Sequence, residues 1–399
     1  AAQRAGRPLR AHIVTYGCQQ NEDDPEKLMG MLVDMGFVPA DRREDADVIL
    51  VNTCTIRDHA ERKALGNIGA LKGLKRDNPQ LKIGVCGCMV QQPHIPEEMK
   101  SKFLHVDFIF GPHDIYRFPE ILYKSYFGAE RASYVRQSEG RIAEGLPQYR
   151  RQTATAYVTI MSGCNNYCSY CIVPYVRGRE RSRDESAILD EVSGLVRGGC
   201  REITLLGQNV NSYGRDLSGS VCFSELLRDM DSIPGDFRIR FMTSHPKDIG
   251  RDVIDAMADC AKVCKQLHLP VQSGSDEILR RMNRKYTAAD YMEIIRYARE
   301  RMPGNASALR YAVQLYLFQA KGHASVRYGR PDPLCGQAAP FQPAYPGAKR
   351  HIRGCKRAVP RPDRPRIVPW QKRKEPGPAR GADGRQQACI LPGRRRACR

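Results

Sequence analysis

Along the first 130 residues, short blocks of consecutive apolar positions alternate with longer stretches of helical spacing. From Arg10 the run AHIVTYGC reads as a short buried strand ending in a glycine turn, and DPEKLMGMLVDMGF after it has the apolar spacing of a helix. Residues 45–54 (DADVILVNTC) predict a second strand, residues 59–75 a helix, and residues 82–88 (KIGVCGC) a third strand. Strand, helix, strand, helix, strand is the pattern of a parallel α/β domain, here bounded at residues 10–127. Residues 128–152 are polar without a period and predict a linker.

The pattern then resumes over residues 153–303. TAYVTIMSGC, REITLLGQNV, FRIRFMTSHP and KQLHLPVQSG read as strands, with helical stretches such as ESAILDEVSGLVRGG and DVIDAMADCAKVC between them. Four βα-type units predict a full or partial (β/α) barrel, with its ligand site at the C-terminal ends of the strands. The fold class is therefore α/β throughout the patterned region. After Met302 neither period survives, and residues 304–399 predict a largely unstructured tail.

Composition changes this picture mainly in the tail. The chain has 399 residues and a net charge of +20, but residues 321–399 hold 20 of the 64 Lys+Arg, 4 of the 44 Asp+Glu and 12 of the 26 prolines. Residues 1–320 are left with a net of only +4, so charge alone does not make the patterned region a nucleic-acid binder. No run of about 18 apolar residues and no charged-then-apolar leader is seen, which predicts a soluble, cytoplasmic protein without a membrane partner. Fifteen cysteines in a reducing compartment call for metal ligation rather than disulfides.

The chemistry is concentrated in SGCNNYCSYCIVPYVRGRERSR, directly after the first barrel strand. Cys164, Cys168 and Cys171 are spaced C-x3-C-x2-C. Three thiolates on one loop hold three irons of a four-iron cluster and leave the fourth open to a ligand, whereas zinc normally wants four closed ligands. The spacing favours the cluster, with a structural zinc site as the alternative. Cys18, Cys54 and Cys88 each sit at the C-terminal end of a predicted strand, where α/β domains gather ligands. For each taken singly, a small buried core residue explains it as well. Cys86, two residues before Cys88 within the same apolar run, is expected in the core.

Other candidates are polar residues at the predicted barrel rim. Gln208 and Asn209 follow the second strand, Ser244 the third, and Gln272, Ser273 and the residues to Ser275 the fourth. Turn and capping roles explain them individually as well as cofactor contacts do. Arg177, Arg179 and Arg181 alternate after the cysteine loop, a pattern that fits RNA phosphates or a solvated basic face. Cys260 and Cys264 lie four apart on a predicted helix and are assigned to packing.

C-x3-C-x2-C with Tyr170 before the last cysteine resembles the signature of radical S-adenosylmethionine enzymes. The resemblance implies that the open iron chelates S-adenosylmethionine, that reductive cleavage yields a 5′-deoxyadenosyl radical, and that Tyr170 packs near the adenine. With Cys18, Cys54 and Cys88 added, the chain resembles the methylthiotransferase family, from about His12 to about Pro303. NTCTIRDHAERK, FIFGPHDIYRFPEIL, LLGQNVNSYG and LHLPVQSGSD look most like the branch that modifies N6-isopentenyladenosine at position 37 of transfer RNA. That resemblance implies two 4Fe-4S clusters, one on each cysteine triad. It further implies S-adenosylmethionine, a tRNA substrate, a reducing electron donor and a monomer, with no catalytic side chain beyond the cluster ligands. Branches acting on threonylcarbamoyladenosine or a ribosomal protein, and a non-catalytic iron–sulfur RNA-associated protein, are the alternatives. The family's further barrel strands and small C-terminal RNA-binding barrel are not recognisable after residue 303. The abrupt rise in Arg and Pro is what translating a GC-rich gene out of frame produces, so the tail is expected to be frameshifted, with a natural disordered basic tail as the alternative.

Overall fold

The computed structural model describes residues 6–17, 20–55, 58–128, 131–135, 142, 144–150, 154–219 and 221–303. Cys18 and the whole predicted tail, 304–399, lie outside the described residues. Among the described residues no helix is long and apolar enough to cross a membrane.

The amino-terminal elements are β1 (Arg10–Thr15), α1 (Gln20–Asp34), β2 (Val38–Pro39), β3 (Val48–Thr53), α2 (Asp58–Asp77), β4 (Lys82–Gly87), α3 (Ile95–Lys102), β5 (Phe108–Phe110), α4 (Phe118–Phe127) and β6 (Ala132–Tyr134). The six strands form one sheet in the order β2-β1-β3-β4-β5-β6, every neighbouring pair parallel. Strands covered on both faces read as continuous apolar runs, as VILV and FIF do. Ile49, Val51, Ile83, Val85 and Ile109 turn to one face and pack with Ala64, Ile68 and Leu71 of α2 and Ile95 and Met99 of α3. Val48, Leu50, Cys86, Phe108 and Phe110 turn to the other, against Leu28 and Leu32 of α1 and Phe118, Ile121 and Leu122 of α4. Full burial of each such side chain contributes about 1.5–3 kcal/mol. Cys86 is thus a core residue, and the turn at Gly87 (φ +93°) takes Cys88 out of the strand's alternation.

Helix α1 contains Pro25, which removes the hydrogen bond to the Asn21 carbonyl. The side chain of Asn52 on β3 donates to that carbonyl at 3.0 Å and replaces the missing donor. In return the Asn21 amide donates to the carbonyls of Tyr16 (3.1 Å) and Thr53 (2.8 Å), which holds the start of α1 against the ends of β1 and β3.

The second set comprises β7 (Thr155–Thr159), β8 (Met161–Ser162), α5 (Val173–Val176), β9 (Arg181–Ser182), α6 (Glu185–Arg197), β10 (Glu202–Leu206), α7 (Phe223–Ser232), β11 (Arg238–Phe241), α8 (Arg251–Asp259), α9 (Asp276–Arg281) and α10 (Ala288–Arg301). Strands β7, β10 and β11 are parallel in the order β11-β10-β7, and β8 with β9 makes a short antiparallel hairpin. Val158, Ile203, Leu205 and Ile239 meet Ile188, Leu226, Met230, Val253 and Ile295 from the surrounding helices in one core. The result is an open parallel sheet wrapped by helices, a partial barrel among the described residues.

Three expectations are corrected. Residues 132–134, read as linker, form the sixth strand; β6 is a half-buried edge of three residues, too short to carry a period. Arg131 anchors it by donating to the carbonyls of Val106 and Phe103 at 2.8 and 2.9 Å. The predicted fourth barrel strand, 265–274, forms no ladder among the described residues; an isolated bridge pairs Ile239 with Val263, two positions before it. Leu267 and Leu269 are buried as its alternation required, but Pro270 lacks a donor and Gln272 is left-handed, with φ 65°. Tyrosine hydroxyls take the carbonyls instead, Tyr291 that of Leu269 (3.0 Å) and Tyr286 that of Val271 (2.7 Å). Finally, α8 ends at Asp259, so Cys260 and Cys264 do not share a helix face. Lys265 reaches back to the carbonyls of Met257 and Cys260 and closes that end.

Candidate functional site

The cysteine loop leaves β8 through Gly163, whose φ is +88°. A Cβ there would stand 1.9 Å from the Arg179 carbonyl oxygen, so the two arms of the loop touch through this glycine. Its N–H donates to Gln208 Oε1 at 2.5 Å, and the Cys164 N–H donates to the Gly178 carbonyl at 3.2 Å. Gln208, expected at the rim, therefore ties the end of β10 to the residue before the first cysteine. Cys164 and Cys168 are buried and Cys171 half-buried, its N–H donating to the Cys168 carbonyl at 2.9 Å.

A second segment straps the loop from outside. The Ser169 N–H donates to the Met282 carbonyl (3.1 Å), its hydroxyl to the Arg281 carbonyl (2.8 Å), and the Asn283 amide to the Tyr167 carbonyl (2.9 Å). Between them Arg284, 5% exposed, donates to Cys168 Sγ at 3.3 Å and to the Tyr170 hydroxyl at 3.5 Å, with its guanidinium over the Tyr286 ring. Tyr167, Thr243, Gln272, Asn283 and Lys285 are the positive-φ non-glycine residues among those described. All five lie in the loop, the strap or the strand-end segments, and strain of this kind is held where the surrounding structure over-determines a working site.

Burial pushes the thiols of Cys164 and Cys171 up to about 12, and the nearby thiols push in the same direction against hydrogen bonds from backbone N–H groups. Such thiols stay protonated until a metal displaces the proton. Among the described residues no three His, Cys, Asp or Glu side chains close on a single point. In a cluster the thiolates each bind a different iron and stand further apart than the ligands of a single ion. Three soft donors on a rigid loop, with an arginine donor beside one sulfur, fit an iron–sulfur cluster.

Above the loop, the ends of β10 and β11 present polar atoms that the chain leaves unsatisfied. Asn209 is buried and donates to Asp248 at 2.7 Å, while its Oδ1, the Ser244 hydroxyl, Asn211 Nδ2 and His245 Nε2 have no partner among the described residues. His245 Nδ1 accepts from the Lys247 N–H at 3.2 Å, which assigns the ring proton to the unpartnered Nε2. Burial first, then the charge of Arg284, brings His245 down to about 3, so it is a neutral donor. Asp248 is ionised: burial alone would raise it, but the Arg215 hydrogen bond, Lys247 and Asn166 hold it low. Buried orphan donors and acceptors of this density fit a polar ligand such as S-adenosylmethionine. Gln272 and Ser273 are half-buried; Ser273 Oγ accepts from the Ser275 N–H at 3.1 Å, which is a turn role. His245, Asp248 and Arg284 were missed from sequence, where each reads as an ordinary surface polar residue.

At the other sheet, Thr53 pairs with Gly87, so Cys54 and Cys88 leave adjacent parallel strands side by side. Both are buried, and the Cys88 N–H donates to the Thr53 carbonyl at 3.0 Å. A Cβ on Gly17 would stand 2.3 Å from Cys54 Cβ, so the residue preceding Cys18 already touches Cys54. The loop of the second domain reaches this point: Ile172 and Val176 pack on Cys88, and Arg177 donates to its Sγ at 2.9 Å. Arg177 is 6% exposed, so it is neither an RNA contact nor a solvated face. Its side chain turns inward because Asn21 and Asp24 of α1 accept from it at 3.3 and 3.4 Å. Arg179 is exposed, and Arg181 is half-buried with Nη2 3.3 Å from His113 Nδ1. Burial and the charges of Arg181 and Arg177 bring His113 down to about 4.

Comparison with known proteins agrees with this layout. "Uncharacterized protein family UPF0004" matches residues 10–111 and "Radical SAM superfamily" matches residues 158–313. The tRNA-2-methylthio-N(6)-dimethylallyladenosine synthase of Clostridioides difficile is 52% identical over 303 residues, 76% of this chain and 63% of that protein. Those of Acetivibrio thermocellus (52%, 75% of this chain, 62% of that protein) and Clostridium tetani (53%, 74% and 65%) are equally similar. The chain thus spans under two thirds of the length of these relatives. Among solved structures, the radical S-adenosylmethionine methyltransferase TsrM of Kitasatospora setae, with cobalamin and a [4Fe-4S] cluster bound, superposes with a TM-score of 0.51 at 16% identity, over 74% of this chain and 68% of that one. That likeness concerns the fold alone. With both domains matched and about half the aligned residues identical to these relatives, the chain belongs to the radical S-adenosylmethionine methylthiotransferase family.

Proposed function

We propose that the protein inserts a methylthio group at C2 of N6-isopentenyladenosine at position 37 of transfer RNA, using two 4Fe-4S clusters and S-adenosylmethionine. The substrate class rests on the relatives' names and on the half of the aligned residues they share with this chain. The observation that carries a two-cluster reaction is the meeting of the two cysteine sets. The loop bearing Cys164, Cys168 and Cys171 continues directly into the Ile172, Val176 and Arg177 contacts on Cys88. Sulfur donor and radical source must act on one bound base, and this junction keeps them within one protein interior.

Cys164, Cys168 and Cys171 hold the first cluster, and Cys18, Cys54 and Cys88 the second. When bound, the clusters and S-adenosylmethionine supply one-electron chemistry, hydrogen abstraction and sulfur. The protein's own residues orient them. Gln208 fixes the Cys164 arm through Gly163, and Arg284 fixes Cys168 and Tyr170. Asn209, Ser244 and His245 offer their unused polar atoms to S-adenosylmethionine, with Tyr170 beside its adenine. The enzyme works in the cytoplasm as a monomer and draws electrons from a separate reducing protein.

The test is anaerobic reconstitution of the full chain, an assay for 5′-deoxyadenosine, and mass analysis of tRNA nucleosides from a deletion strain carrying it. About eight irons per chain, deoxyadenosine production and restored 2-methylthio-N6-isopentenyladenosine support the reading. Two full clusters without deoxyadenosine make the chain a non-catalytic iron–sulfur protein instead. Modification of threonylcarbamoyladenosine, or of a ribosomal protein, in place of the isopentenyl nucleoside would reassign the substrate.

A further inference from the structure

Arg177 is a buried cation that the proposed reaction does not use. It belongs by sequence to the segment that closes the first cluster, six positions after Cys171, at the end of the single turn α5. By position it belongs to the other site. Its Nε lies 2.9 Å from Cys88 Sγ, its Nη2 lies 3.3 Å from Asn21 Oδ1 and 3.4 Å from Asp24 Oδ2, and its backbone is held by the Val173 carbonyl at 2.8 Å. Asn21 is itself fixed by the carbonyls of Tyr16 and Thr53, at the ends of β1 and β3. Ile172, just before α5, and Val176, its last residue, lie on one face and seal the apolar flank of Cys88.

From this arrangement we infer that Arg177 is a positioning residue for the second cluster: it donates a charge-assisted hydrogen bond to the sulfur of Cys88 and thereby raises that cluster's reduction potential. The inference rests on the two-cluster reading above, with Cys88 Sγ standing for a cluster-bound thiolate. Reduction adds a negative charge to the cluster, and an N–H donor with a positive guanidinium stabilises the reduced form more than the oxidised one. Asp24 offsets part of the bare charge, so the directed hydrogen bond carries the effect. Asn21 and Asp24 hold the other end of the fork, so the donor does not swing away when the sulfur carries less charge. One consequence is structural coupling, because the same short segment supplies Cys171 to one cluster and the donor to the other.

The test is an EPR-monitored redox titration of the reconstituted full chain, wild type against Arg177→Met and Arg177→Lys. A chain with Cys164, Cys168 and Cys171 replaced by alanine, which keeps only the second cluster, identifies that cluster's signal. Arg177→Met is expected to move the midpoint of the second cluster to a more negative potential and leave the first cluster, on Cys164, Cys168 and Cys171, where it was. Arg177→Lys, which keeps the charge but not the fork, is expected to fall between. If Arg177→Met is recovered unfolded, the lysine variant decides alone, and its midpoint must lie below the wild type's. Unchanged midpoints in the folded variants, or a shift confined to the first cluster, overturn the inference while the two-cluster reading stands. A wild-type chain that binds only one cluster overturns that reading and the inference with it.

Discussion

Replacing Gly163 by alanine tests how the first cysteine is held. At φ +88° an added Cβ disfavours the backbone by about 1–2 kcal/mol. It also meets the Arg179 oxygen at 1.9 Å, the Arg179 carbonyl carbon at 2.5 Å and the Gly178 oxygen at 2.7 Å. These are backbone atoms of the opposite arm, and they cannot rotate away as a side chain would. Overpacking of that kind adds about 1–3 kcal/mol. The total of about 2–5 kcal/mol corresponds to a fall in Tm of about 5–15 °C for a folded region of this size. Gly199 provides the control, because its φ is +93° but nothing lies within 4 Å of its added Cβ. Gly199→Ala should therefore show the conformational cost alone, about 1–2 kcal/mol. The two variants differ more sharply in metal content. Prying the arms apart breaks the Cys164 N–H bond to Gly178 and the Gly163 N–H bond to Gln208, so Gly163→Ala should fail to hold the cluster on Cys164, Cys168 and Cys171 after reconstitution. Calorimetry and iron analysis on both variants decide the matter. Equal melting temperatures together with equal iron contents would refute the claim that contact between the two arms holds the loop.

Other predictions follow from neighbouring features. Cys88→Ala should lower reconstituted iron from about eight to about four per chain, while Cys86→Ala, two positions away in the core, should keep the iron and lose about 1 kcal/mol in urea unfolding. Arg284→Met should cost about 1.5–3 kcal/mol by removing charge-assisted donors from Cys168 and Tyr170. Arg284→Lys should not restore it, since one ammonium does not reproduce the fork over Tyr286; a lysine variant as stable as wild type would count against that role. His245 and His113 titrate near 3 and 4 when folded, against an ordinary value of 6.5, so the unfolded chain binds these protons first as pH falls. Their contribution is complete above pH 6.5 and shrinks on acidification by at most about 1.4 kcal/mol per unit for each group. Urea midpoints at pH 7.5 and 5.0 for wild type and the His113→Gln, His245→Gln double variant should show a flatter dependence in the variant, and parallel slopes would reject the linkage.

What the amino-acid sequence by itself determined is whatever depends on local order. Periodicity placed the strands β1, β3, β4, β7, β10 and β11: a strand covered on both faces is apolar over consecutive positions, as VILV of β3 is, and one with a more exposed face alternates, as RIRF of β11 does. Spacing singled out Cys164, Cys168 and Cys171, because three ligands on one short loop are neighbours in any fold. The place of Cys86 inside the buried run IGVC put it in the core, since a strand covered on both faces is apolar throughout. Beyond that reach, the tertiary structure decided. Strand β6 is a three-residue edge with Ser133 exposed between two half-buried neighbours, and Leu267 to Val271 kept a strand's alternation while Tyr291 and Tyr286 took its carbonyls. Arg177 has the sequence context of a solvated basic stretch, yet it lies buried on Cys88 because Asn21 and Asp24, more than 150 positions away, supply its other partners. Arg284 and His245 were hidden for the same reason. A charged or polar side chain goes inside only when its partners meet it there, and those partners come together only when the two sheets and the strap have folded around the cysteine loop.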